Sequence, residues 1–276
     1  MAERLELRGE AAGVPFVALP PEKAAEGAPL IVSWHLASPP RSERAMAAAL
    51  PLRGLDAWRV YLGLPMLGDR LPDGGLDEFF RRFRDDMVLN VFEPVTDAAV
   101  EELPGALAVL RDRLPVRNGR LGLVAGSMGA WVAQSALADA DLPVSAVALV
   151  SPAIRLRSVV ARYERMWEFE YPWSEPARAV ADRLDFVARA DGLAEREVAM
   201  LLVLGALDDE KGFRRPAEEL RLALSRRSPD RAELIEIPGM EHSLADEPGL
   251  EPAPQTGAAA HVDRLLTDWF RRHLTG

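Results

Sequence analysis

Residues 120–129 read Arg-Leu-Gly-Leu-Val-Ala-Gly-Ser-Met-Gly, an apolar run ending in a tight turn that holds Ser127 among small neighbours. The run has the composition of a buried strand, and Trp131-Val132-Ala133 continues the apolar pattern as a helix. A strand that bends sharply into a helix lifts its turn residue clear of the sheet, and crowding at the bend demands small side chains. Ala125 and Gly129, two residues either side of Ser127, meet that demand. A serine held this way becomes a nucleophile when a base stands beside it. The Met128 N–H then lies at a helix N-terminus and points at any anion forming on a bound acyl group.

Working outward, β-type runs alternate with helix-length amphipathic segments, the pattern of a mostly parallel sheet covered on both faces. The start differs: Leu5-Glu6-Leu7 and Val14-Pro15-Phe16-Val17 read as an antiparallel hairpin. Further strands are expected at 30–34, 57–62, 121–125, 144–150, 198–204 and 232–237, with helices near 42–50, 97–113, 213–226 and 258–273. Residues 64–95 read as irregular, and Thr96, just after Pro94, as the cap of the helix that follows. Residues 152–192 interrupt the alternation with Arg- and aromatic-rich helices. An insertion there falls over the carboxyl ends of the strands, where open α/β sheets bind ligands, so it reads as a lid. The fold class is thus α/β: one domain over 1–276 with a helical insertion.

Composition narrows the function. A net charge of −10 argues against nucleic acid and anionic membrane surfaces. No apolar run approaches the roughly 18 residues of a spanning helix. The N-terminus lacks the pattern of a secretory signal, which makes the cytoplasm the expected location. The absence of cysteine removes disulfides, thiolate catalysis and Cys-ligated metal. Gly122, Gly126 and Gly129 have the wrong spacing for dinucleotide binding, and neither a Gly-Lys-Ser/Thr phosphate loop nor a His-Glu-x-x-His zinc helix occurs. No metal and no cofactor are expected.

A serine nucleophile needs a base and an acid to orient it. Of four histidines, His261 and His273 fall in the last amphipathic helix, and His35 ends the third strand. His242 follows strand 232–237 in Ile-Pro-Gly-Met-Glu-His-Ser, a turn at a strand's carboxyl end. Strand 198–204 runs into Gly205-Ala206-Leu207-Asp208-Asp209, which places a carboxylate within reach of the neighbouring loop. Ser127, Asp208 and His242 therefore come in that order, each after a separate parallel strand.

Along nearly its whole length the chain resembles the α/β-hydrolases. Ala125-Gly126-Ser127-Met128-Gly129 is similar to their small-x-Ser-x-small turn, with Ala for the usual first Gly. Gly205 to Asp208 resembles their acid turn, which favours Asp208 over Asp209, and Gly239 to His242 resembles their histidine turn. The other common acid position is occupied by Ser151-Pro152. Where the family often has His-Gly after its third strand, this chain has Ser33-Trp34-His35-Leu36-Ala37-Ser38. The resemblance implies Ser127, Asp208 and His242 as catalytic residues. It also implies an oxyanion hole of the Met128 and Leu36 N–H groups, with Ala37 as the alternative second donor.

The expected activity is hydrolysis of a carboxylic ester or related acyl compound through an acyl-enzyme. A peptidase or thioesterase with the same triad, or a hydrolase-fold binding protein without turnover, is the alternative. The expected partner is a small-molecule acyl substrate, with self-association left open. His35, Trp167 and Trp173 are the expected substrate-binding side chains. Trp167, Phe169, Tyr171 and Trp173 are too many bulky rings for a wholly solvated helix pair and are expected to roof the pocket.

Overall fold

The alternation closes into one eight-stranded sheet in the computed structural model, which describes residues 6–23, 27–139, 142–227 and 230–274. Strands β1 (Leu7–Ala11) and β2 (Val14–Leu19) form the antiparallel hairpin, turned by Ala12 and Gly13, both at positive φ. Leu5 lies outside the described residues. The other strands are β3 (Ala28–Trp34), β4 (Trp58–Leu62), β5 (Val116–Gly126), β6 (Val144–Val150), β7 (Ala199–Gly205) and β8 (Ala232–Ile237). Their spatial order is β1-β2-β4-β3-β5-β6-β7-β8, and every pair from β4 to β8 is parallel. Crossovers put all the carboxyl ends of these strands on one edge, where the turns after β5, β7 and β8 meet.

Alternation along the central strands builds two cores. Val32, Trp34, Leu123 and Ala125 face one side of the sheet, while Ile31 and Val124 face the other. Helices α1 (Glu43–Ala49) and α9 (Gly257–His273) cover the second side, with Met46, Trp269 and Phe270 fully buried. Burying each such side chain contributes roughly 1.5–3 kcal/mol. Helix α1 starts at Ser42, whose hydroxyl accepts the Ala45 N–H at 3.1 Å.

Residues 64–95 are irregular only as far as 74, apart from a short helical turn at Gly68–Arg70. Helix α2 (Gly75–Asp85) sets Phe79 and Phe83, four apart, on a buried stripe among charged residues. A wide helical turn at Val88–Phe92 then runs directly into α3 (Glu93–Arg113). Thr96 is therefore buried inside α3 and caps nothing. The cap lies ten residues earlier, where Asp86 Oδ1 accepts the N–H groups of Val88 (3.0 Å) and Leu89 (2.9 Å). Pro94 stands where the wide turn passes into α3.

Helix α4 (Gly129–Asp139) follows the turn after β5 and is buried along most of its length, Trp131 included. The stretch 152–192 contains α5 (Leu156–Trp167) and α6 (Glu175–Arg183) and runs into α7 (Ala190–Glu195). Helix α8 (Arg215–Arg227) follows a wide turn at Glu210–Arg214, against which α5 packs.

Candidate active site

The turn after β5 holds Ser127 at φ +43°, in the left-handed region that L residues rarely enter. Its main chain is tied on both sides. The Ser127 N–H donates to Val150 O (3.1 Å), and Ser127 O accepts from Ala130 (3.0 Å) and Ala153 (3.1 Å). The small neighbours answer to particular contacts. A Cβ on Gly126 would overlap the Leu36 side chain, and one on Gly129 would come within 2.6 Å of His35 O. Position 126 is thus the tightest point of the turn. Helix α4 starts immediately afterwards and leaves the Met128 N–H in its first turn.

The turns after β7 and β8 approach each other just as closely. A Cβ on Gly205 would overlap the carbonyls of Met240 and Glu241. The Ala206 and Leu207 N–H groups donate to Ile237 O (3.0 Å) and Met240 O (2.9 Å). Asp208 and His242 then face each other, with Asp208 Oδ2 2.7 Å from His242 Nδ1, while His242 Nε2 lies 2.8 Å from Ser127 Oγ. A carboxylate only accepts, so Nδ1 carries the proton and Nε2 is free to accept from the serine hydroxyl. Asp208 is also fixed through Oδ1, which accepts the Asp209 N–H at 2.7 Å. The Phe213 ring lies 4.1 Å from the imidazole, centre to centre, and supports it from the wide turn.

Asp209 points elsewhere. Its carboxylate accepts the Gly212 N–H (2.6 Å) and pairs with Arg165 (2.8 Å).

The loop after β3 differs from expectation. The Leu36 N–H donates to Pro40 O at 3.2 Å, and the Leu36 side chain is fully buried against Gly126. An amide committed to a carbonyl is not a free oxyanion donor, and Ala37, half-buried, carries the next amide along the loop. His35 is fully buried as well. Its Nδ1 donates to Leu36 O (2.7 Å) and its Nε2 accepts the Leu64 N–H (3.1 Å). Both ring nitrogens are engaged by backbone, so His35 offers a ligand nothing and braces the loop instead. Burial lowers its pKa to about 4, against the pull of the Leu36 carbonyl. Arg41 braces the same loop: Nε donates to Ala37 O (2.8 Å) while the guanidinium holds Glu247 and Pro248 O.

Neither a family model nor a curated protein matches the sequence. Solved structures do. The chain is similar to TT1662 from Thermus thermophilus, at 20% identity and TM-score 0.64, over 96% of this chain and 97% of that one. It is similar to carboxyl esterase 2 of the fungus Tuber melanosporum, at 17% identity and TM-score 0.57, over 97% and 84%. It also matches a puromycin-hydrolyzing peptidase of Mycobacterium tuberculosis, at 17% identity and TM-score 0.66, over 98% of this chain but 39% of the peptidase. The chain has the α/β-hydrolase fold. Within that fold, Ser127, Asp208 and His242 occupy the turns after three separate strands, in the chain order read from the sequence.

The insertion of this hydrolase fold is anchored by rings. Trp167, 43% exposed, packs edge-on against Phe83 of α2 at 5.7 Å and beside Tyr163 at 5.1 Å. Trp173 packs on Tyr171 at 4.8 Å and under the Arg157 guanidinium. Tyr171 is tied to α2's end by a 2.5 Å hydrogen bond to Asp86. These contacts bind α5 and the following loop to α2; none of them is to Ser127, Asp208 or His242. Phe213 and Arg41, which do touch the site or its loop, went unread in the sequence. The Arg-after-Pro-Pro step at 39–41 was the available signal for Arg41. Among the described residues, no group of three or more His, Asp or Glu is placed to hold a metal ion, and no helix is long and apolar enough to cross a membrane.

Proposed function

We propose that this chain is a serine hydrolase acting on a carboxylic ester or related acyl compound. The observation that carries the reading is the unbroken chain from Asp208 through His242 to Ser127, with links of 2.7 and 2.8 Å. His242 Nε2 takes the hydroxyl proton as Ser127 Oγ bonds to the carbonyl carbon, and the carbonyl π pair moves onto oxygen. The Met128 and Ala37 N–H groups receive that oxyanion, each such donor being worth roughly 3–4 kcal/mol of barrier. The tetrahedral adduct collapses as His242 gives the proton to the departing alkoxide, which leaves as the alcohol. Water then repeats the sequence, with its proton passing to His242 and back to Ser127 Oγ. Asp208 stays ionised throughout, holding the tautomer and stabilising the imidazolium.

An amide is the second reading, favoured by the likeness to the puromycin-hydrolyzing peptidase. A small-molecule substrate and a cytoplasmic location complete the proposal. The test is labelling by a fluorophosphonate. One adduct at Ser127, with loss of esterase activity in step, is the expected result. A chain that neither labels nor hydrolyses aryl acetates overturns the reading.

A further inference from the structure

Helix α5 and the residue before it carry four arginines: Arg155, Arg157, Arg162 and Arg165. Three are paired with carboxylates: Arg155 with Asp185 and Glu219, Arg157 with Asp182, and Arg165 with Asp209. Arg162 has no such pair among the described residues, although the chain has 43 acidic residues to draw on. It also lies against the wide turn that carries Phe213, the ring beside His242. Its stem lies against Gly212, where an added Cβ would come within 3.1 Å of Arg162 Cβ. Its guanidinium carbon sits 5.1 Å over the Tyr163 ring and 5.7 Å from the Phe213 ring centre. Phe213 in turn lies 4.1 Å from His242, so these two separations bound the guanidinium-to-imidazole distance at about 10 Å. A substrate carboxylate about three to five bonds from the scissile carbonyl spans that gap. Arg41, across the site, is not available for this task, since Ala37 O, Pro248 O and Glu247 already occupy its guanidinium.

We propose that Arg162 is a specificity residue that binds a carboxylate on the substrate, so that the preferred esters carry a negative charge on their acyl or alcohol part. The inference rests on the serine-hydrolase reading. A half-buried guanidinium flanked by rings forms strong, charge-assisted hydrogen bonds with a carboxylate, worth roughly 1.5–3 kcal/mol or a ten- to hundredfold preference. In a chain of net charge −10, such a cation also offsets the general repulsion of anions.

The test compares kcat/KM for two matched pairs: 4-nitrophenyl hemiadipate against 4-nitrophenyl hexanoate, and 3-acetoxybenzoate against phenyl acetate. The wild type, Arg162→Gln and Arg162→Lys are assayed alike, with fluorophosphonate labelling rates for all three. The expected result is a preference for the charged member of at least one pair. Its anionic-to-neutral ratio falls about tenfold or more in Arg162→Gln, is partly restored in Arg162→Lys, and declines with added salt in the wild type. An unchanged ratio overturns the proposal. So does an equal loss on both members with a lowered Tm, which is the signature of an arginine that only braces α5. Absence of labelling in the wild type removes the hydrolase reading itself, a failure separable from an enzyme that labels but ignores charge.

Discussion

Ser127, Asp208 and His242 stand on turns that main-chain hydrogen bonds and glycine contacts fix from several sides, whereas α5, which packs on the neighbouring wide turn, is held by ring contacts and ion pairs. The first group has almost no freedom. Gly126, Gly129 and Gly205 bring backbone or buried side chains together at distances a methyl group would forbid. The second is fastened by Tyr163 and Trp167 on Phe83 and by Arg165 on Asp209, contacts worth at most about 1.5 kcal/mol each. On the proposed function, reaction geometry is vested in the rigid part, and Arg162, the proposed recognition group, lies in the part that is cheaper to alter.

Breaking the rigid side has the largest effect. Ser127→Ala should lower kcat by a factor on the order of 10⁶ with Tm nearly unchanged, since alanine meets the same backbone cost at φ +43°. Steady-state kinetics beside a melting curve checks both halves. Asp208→Asn comes next, with a loss on the order of 10⁴ through the wrong imidazole tautomer. Its neighbour sharpens the contrast: Asp209→Asn weakens the Gly212 cap and the Arg165 pair, costing about 1 kcal/mol of stability and little activity. Reversal of that pair would move the acid by one residue.

His35 gives a pH effect of intermediate size. Its folded pKa, about 4, lies below the unfolded value near 6.5, so the folded state binds fewer protons between those limits. Its contribution is therefore complete above pH 6.5 and is lost as pH falls toward 4, a change of about 3 kcal/mol. Urea unfolding across that window should show the loss in the wild type and a flatter profile in His35→Gln.

The smallest effect belongs to Trp167→Ala. The ring is 43% exposed, so its removal should cost about 1 kcal/mol, a Tm shift of a few degrees, with chain-length preference preserved. A large change in ester selectivity would instead make the ring part of the pocket wall.

What could be read from the sequence follows the same division. Strand-borne features were legible because they depend on local pattern: the apolar runs, the small residues around Ser127, and the acid and histidine turns directly after strands. Features that depend on distant partners were not. The Leu36 amide is taken by a carbonyl four residues on, which only the loop's path decides, and the bracing of His35 needs Leu64 from beyond β4. Helix α2 was missed for another reason. Of its three phenylalanines only Phe79 and Phe83 are buried, a thin apolar stripe whose meaning appears only when Tyr163 and Trp167 of the insertion arrive to cover Phe83.

The contact between Gly126 and Leu36 constrains how such a chain can diverge. A Cβ at 126 has no room while leucine stands at 36, and overpacking of this kind costs about 1–3 kcal/mol. Alanine at 126 therefore costs less once position 36 has shrunk, and a return to leucine at 36 is then disfavoured. The two substitutions are therefore non-additive, and the loop after β3 and the turn after β5 are constrained as a pair.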